Sequence, residues 1–144
     1  MIISKKGLDL IKEFEGYRDK AYKCPAGVWT CGYGHTNGVK KDTACTRQEA
    51  EEWLREDVGW AERAVSNIDG LNQNQFDALV SLTYNIGGSA FKNSTVCRLA
   101  KQNPDNPAIS SAIKMWNKIR VNGRLQVNKG LQNRRAKEAA LYFS

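Results

Sequence analysis

The sequence predicts an α+β fold: one amphipathic helix, a small antiparallel hairpin, then a larger set of helices. Three observations predict it. Apolar residues recur at helical spacing over 4–15 and again beyond Thr46. Strand-forming residues and turn glycines crowd into 17–36, between those stretches. No internal repeat, low-complexity tract or linker divides the 144 residues, so a single domain over 1–144 is expected, a usual length for one core.

The first helix is expected over 4–15, with Ser4 as N-cap, Leu8, Ile11 and Phe14 on one face, and Gly16 as a left-handed C-terminal cap. Tyr17, Tyr22, Val28, Trp29, Thr30 and Tyr33 then suit strands, and Pro25-Ala26-Gly27 supplies a turn. This gives a hairpin or a three-stranded sheet, too small to stand alone. Thr46-Arg47-Gln48-Glu49 is a capping box, and Ala50, Leu54, Ala61 and Val65 follow at helical spacing. That spacing puts Trp53 and Trp60 on one face of one helix. The stretch 73–86 reads as a central buried helix ending at Gly87-Gly88. Helices are expected over 94–102, from Asn106-Pro107, and over 131–143, with 120–130 a loop turning at Asn122-Gly123. A cleft between the small sheet and the helices is the natural place for a ligand.

Composition narrows the function. The formal net charge of +7 draws the protein toward polyanions, but the basic residues form no single block and no nucleic-acid reader motif is present, so nucleic acid is not expected as a partner. No apolar stretch is long enough to span a membrane, and the start Met1-Ile2-Ile3-Ser4 lacks a secretory h-region, so synthesis in a reducing cytosol is expected. The four cysteines, Cys24, Cys31, Cys45 and Cys97, contain no C-x-x-C pair and there is one histidine, so no metal site and no cofactor are expected. The hairpin is expected to set Cys24 against Cys31; oxidation of that pair, or of Cys24 with Cys45 or Cys97, would tie up the Cys24 thiol. Four free thiols packed as small hydrophobes is the alternative.

Glu15, Cys24 and Thr30 stand out together as candidates for chemistry. Glu15 ends the first helix, where the dipole disfavours a charged carboxylate; the hairpin folds Cys24 and Thr30 back toward that end. Glycosidic cleavage needs an acid for the leaving oxygen and a second group that activates water or supports the cationic transition state. His35 is expected to tie its turn to a carboxylate, and Asp19 to be a surface residue.

The run Glu15-Gly16, then Ala21-Tyr22-Lys23-Cys24-Pro25-Ala26-Gly27-Val28-Trp29-Thr30-Cys31-Gly32-Tyr33-Gly34-His35-Thr36, resembles the tailed-phage lysozymes, the muramidase-class endolysins of glycoside hydrolase family 24 type. Their signature of Glu, eight residues, Asp or Cys, five residues, Thr is met at Glu15, Cys24 and Thr30. Gln75-Phe76-Asp77-Ala78-Leu79-Val80-Ser81, Tyr84-Asn85-Ile86-Gly87 and Gly130-Leu131-Gln132-Asn133-Arg134-Arg135 extend the resemblance over nearly the whole chain.

The resemblance implies a lysozyme-like fold, with the hairpin lobe packed on a larger helical lobe. It also implies a monomeric glycosidase that cuts the β-1,4 bond between N-acetylmuramic acid and N-acetylglucosamine in bacterial peptidoglycan and so lyses the host. Glu15 would be the general acid, Thr30 would position water, and Cys24 would be the second group, acting as an auxiliary rather than an obligatory nucleophile. Tyr84, Thr36 and Ser94 would meet the sugars, Asn85 an acetamido group, and Arg134 or Arg135 would neighbour Glu15. With the cytosolic start, the resemblance implies a separate pore that lets the enzyme reach the wall in the periplasm. A lytic transglycosylase acting on the same bond, or a non-catalytic wall-binding module, are the competing readings.

Overall fold

A computed structural model describes residues 1–144. The chain divides into two compact units, Leu8–Gly59 and Met1–Gly7 with Trp60–Ser144. Their boundary falls inside the first helix, α1 (Lys5–Glu15). Ser4 occupies the capping position: its hydroxyl lies 3.5 Å from the Gly7 amide and donates to Asp77. Gly16 closes the other end at φ +72°, its amide donating to the Lys12 carbonyl at 2.9 Å.

In the unit Leu8–Gly59, β1 (Arg18–Lys23) and β2 (Trp29–Gly32) pair antiparallel, with Arg18 opposite Gly32, Tyr22 opposite Thr30 and Lys23 opposite Trp29. The register slips between Arg18 and Tyr22; of the two expected forms the sheet takes the hairpin, and an isolated bridge from Lys20 to Ala44, outside 17–36, adds an edge that was not anticipated. The helix α2 (Arg47–Asp57) opens on the expected capping box: Glu49 N donates to Thr46 Oγ1 at 3.1 Å and Thr46 N to Glu49 Oε1 at 3.0 Å.

In the other unit, α3 (Gly59–Val65) is separate from α2, so Trp53 and Trp60 do not share a helix. Gly59 explains the break: it is a poor interior residue, and Val58 ends α2 by donating its amide back to Leu54 and Glu56. The central helix α4 (Gln73–Ile86) is buried continuously from Gln75 to Thr83, its polar Gln75, Asp77, Ser81 and Thr83 included, and ends at Gly87. An unanticipated short helix, α5 (Gly88–Lys92), follows, then α6 (Thr95–Gln102) and α7 (Ala108–Lys114).

The stretch expected to be a loop is instead a second hairpin, β3 (Lys118–Val121) and β4 (Arg124–Val127). Asn122 at φ 50° and Gly123 at φ 79° form its two-residue turn, the left-handed pair that matches strand twist. Almost every residue of this hairpin is exposed, and its polar–apolar alternation, Lys118-Ile119-Arg120-Val121 and Arg124-Leu125-Gln126-Val127, runs for only four residues in each strand, which hid it. The last helix is α8 (Lys129–Tyr142), capped by Asn128. No helix is long and apolar enough to cross a membrane.

Candidate active site

Glu15 is the last residue of α1 and is half-buried. Its carboxylate lies against Gly34: a Cβ added there would stand 3.3 Å from Glu15 Oε2, on a backbone at φ +82°. Both facts demand glycine, because a side chain would be strained and would push the carboxylate away. Gly34 belongs to the tight turn in which Cys31 and His35 exchange backbone hydrogen bonds of 2.9 Å each way.

The turn is pinned from outside. His35 Nδ1 lies 2.7 Å from Asp57 Oδ2, and its ring stacks on Trp53 with centroids 4.5 Å apart. The expectation that His35 ties a loop to a carboxylate is met. Asp19, as expected, is exposed.

The strand that leads into this turn carries Thr30, which is buried. Cys24 lies just beyond β1, where its amide donates to Val28 O at 3.0 Å and its carbonyl accepts from Gly27 N at 2.8 Å. Thr30 Oγ1 reaches the Val28 carbonyl at 3.0 Å. The Cys24 thiol is half-exposed rather than a core sulfur, and it is held below the usual thiol range. The Val28 amide contributes most, the Ala26 amide next, and the Thr30 hydroxyl also favours the anion. The hairpin thus brings Cys24 and Thr30 together, and β2 carries Thr30 toward the turn that meets Glu15.

The other thiols are arranged differently from expectation. Cys31 Sγ lies 3.5 Å from Cys45 Sγ, so the partner that the fold offers Cys31 is Cys45 and not Cys24. The reason is the added edge: the segment 43–45 runs along β1 and delivers Cys45 to the same place.

Residues 12–138 match the phage lysozyme family. The endolysin of Acyrthosiphon pisum secondary endosymbiont phage 1 is 45% identical over 148 residues, covering 100% of this chain and 99% of that protein. The endolysin of Salmonella phage P22 is 40% identical over 152 residues, again covering 100% and 99%. The muramidase domain of SpmX from Asticaccaulis excentricus superposes with a TM-score of 0.93 at 39% identity, covering 99% of this chain and 97% of that one.

The chain belongs to the phage lysozyme family. As a phage lysozyme it is a glycoside hydrolase with the lysozyme-like α+β fold, and endolysins of this kind act on the cell wall.

In this phage lysozyme Tyr84 is half-buried near the end of α4 and stacks on Trp60, centroids 5.9 Å apart. Assigning Trp60 to the helix of Trp53 concealed that pair; Gly59 was the signal that separates them. Thr36 is exposed just after the Gly34 turn. Ser94 is buried and caps α6, its hydroxyl donating to Phe91 O at 2.6 Å and accepting from Cys97 N at 3.0 Å, so it works inside the fold.

Arg134 and Arg135 are both buried on α8. Arg134 Nε donates to Glu138 Oε2 at 3.2 Å and its terminal nitrogen to Ser81 O at 3.1 Å. Arg135 reaches the other Glu138 oxygen, the Asn85 side chain and, at 2.7 Å, Trp116 O. Burial pulls the Arg135 guanidinium below its ordinary range, and Glu138 acts against that pull. This network escaped sequence reading, although Glu138 stands three and four residues from the two arginines, the spacing of helical neighbours. Asn85, considered for an acetamido contact, accepts from Arg135 instead.

Proposed function

We propose that this phage lysozyme hydrolyses the β-1,4 bond between N-acetylmuramic acid and N-acetylglucosamine, with Glu15 donating the proton that the leaving oxygen needs. The observation that carries the reading is the seat of the Glu15 carboxylate against Gly34, in a turn that continues the strand bearing Thr30. A general acid must be held in place without a competing side chain, and Gly34 leaves that space open.

Thr30 orients the attacking water. Cys24 supplies the second group: its thiol, favoured as the anion by the Val28 amide, supports positive charge as it develops at the anomeric carbon. A thiol carries less charge at neutral pH than the aspartate familiar at this position, so its role is auxiliary. Tyr84 and Thr36 contact the sugars. We assign synthesis to the host cytosol and passage to the wall to a separate pore.

The test is muropeptide release from purified peptidoglycan, with reductant present, read by mass spectrometry. Reducing-end muramic acid is expected. Anhydro-muramic ends would make the enzyme a lytic transglycosylase, and binding without release would make the chain a wall-binding module.

A further inference from the structure

We propose that Cys31 and Cys45 form a covalent modification site, closing an intramolecular disulfide when the protein meets a disulfide oxidant. All four cysteines are free thiols, and these two are set against each other. Their sulfurs are 3.5 Å apart, and both approach the Arg18 carbonyl oxygen, at 3.7 Å from Cys31 and 3.8 Å from Cys45.

The fold produces this meeting. Strand β1 runs between two neighbours: β2 pairs with it on one side, and on the other Cys45 N donates to Asp19 O at 2.9 Å while Ala21 N donates to Thr43 O at 2.8 Å. The irregular register of β1 between Arg18 and Tyr22 lies where the two thiols converge. Tyr17 Oη donates to Cys45 O at 3.0 Å, fixing that backbone in turn. Cys97 is buried on α6; Cys24, half-exposed and with its anion favoured, can take up the oxidant as a mixed disulfide of its own, but the thiol that Cys31 is set against is Cys45.

The chemistry is thiol–disulfide exchange with a glutathione-type disulfide. Cys45 is half-exposed and Cys31 fully buried, so the Cys45 thiolate attacks first and releases one thiol. The Cys31 thiolate then displaces the second thiol from the mixed disulfide. The two cysteines lose two electrons, the oxidant becomes two thiols, and those thiols take up the two protons. Burial, with the Cys31 thiol adding to it, pushes Cys45 up to about 11, so the exchange is slow at neutral pH and quickens as pH rises.

The ring so closed spans residues 31–45 and includes the turn that seats Glu15. The cross-link therefore restrains the unfolded chain most directly at the site.

The full-length protein is incubated with oxidised glutathione at mildly alkaline pH, quenched with N-ethylmaleimide in denaturant, digested and mapped by mass spectrometry, with thermal melts in parallel. We expect Cys31 and Cys45 to be recovered together as one cross-linked peptide, reversed by dithiothreitol, whatever glutathione adds to Cys24. The melting temperature should rise by about 5–10 °C. Cys97→Ser should behave as the wild type, and oxidant should leave the melt of Cys45→Ser unmoved. No Cys31–Cys45 peptide, a cross-link of Cys24 to Cys31 or Cys45 in its place, or an oxidant shift in Cys45→Ser equal to that of the wild type would each overturn the proposal.

Discussion

Gly34 is the residue on which the candidate acid depends most. Alanine there would combine a left-handed backbone with a Cβ 3.3 Å from Glu15 Oε2. Gly34→Ala should cost about 1–2 kcal/mol in urea unfolding, the left-handed penalty for an L-residue. It should also lower glycan cleavage by about 3- to 10-fold, as expected when a carboxylate must give by a few tenths of an ångström. Cys24 permits a pH test. Its thiol is lowered first by the Val28 amide, so the anion persists to lower pH than in an ordinary thiol. Iodoacetamide should label Cys24 with a rate midpoint below the usual value of about 8.5, and Thr30→Val should move that midpoint upward. Glu15, Cys24 and Thr30 were legible in sequence because their spacing is local to one helix end and one hairpin. The Glu15–Gly34 contact was not, since it joins residues whose proximity depends on how the turn is pinned by His35 and Asp57.

At the scale of elements, α4 and α8 are joined by a polar core. Glu138, fully buried, stands between Arg134 and Arg135, and its Oε2 accepts from Ser81 Oγ. Removing the carboxylate takes away a buried charge that both guanidinium groups meet. Glu138→Ala should therefore destabilise by about 3–5 kcal/mol, read as a lowered urea midpoint at constant slope. The helices themselves were well marked in sequence: Thr46 with Glu49 opened α2, and Phe76, Leu79, Val80 and Leu82 marked α4. Two misreadings have physical causes. Helical spacing continued past Val58 although Gly59 breaks the helix, and the hairpin β3–β4 has its cations and aliphatics mixed on both faces, so no buried face betrays it. Asn122-Gly123, the strongest local hairpin signal, was present all along.

Across the whole molecule, charge is segregated. Residues 106–137 hold eight of the 22 basic residues and none of the 15 acidic ones, so this stretch alone accounts for the net charge of +7. Lys118 and Arg120 on β3 are exposed. Encounter with an anionic wall polymer should weaken with salt. The cleavage rate on purified peptidoglycan should fall severalfold between about 0.05 and 0.3 M ionic strength, and reversing Lys118 and Arg120 to glutamate should flatten that dependence.

The central claim is that Glu15 is the acid. The measurement that tests it most directly is the initial rate of reducing-end release from purified peptidoglycan for Glu15→Gln beside the wild type, with thermal melts and sacculus binding taken on both. With Glu15 as the acid, the variant's rate falls by about 10²- to 10⁴-fold, with melting and binding unchanged. A Glu15→Gln rate within about tenfold of the wild type would contradict it, because that is less than general acid catalysis supplies.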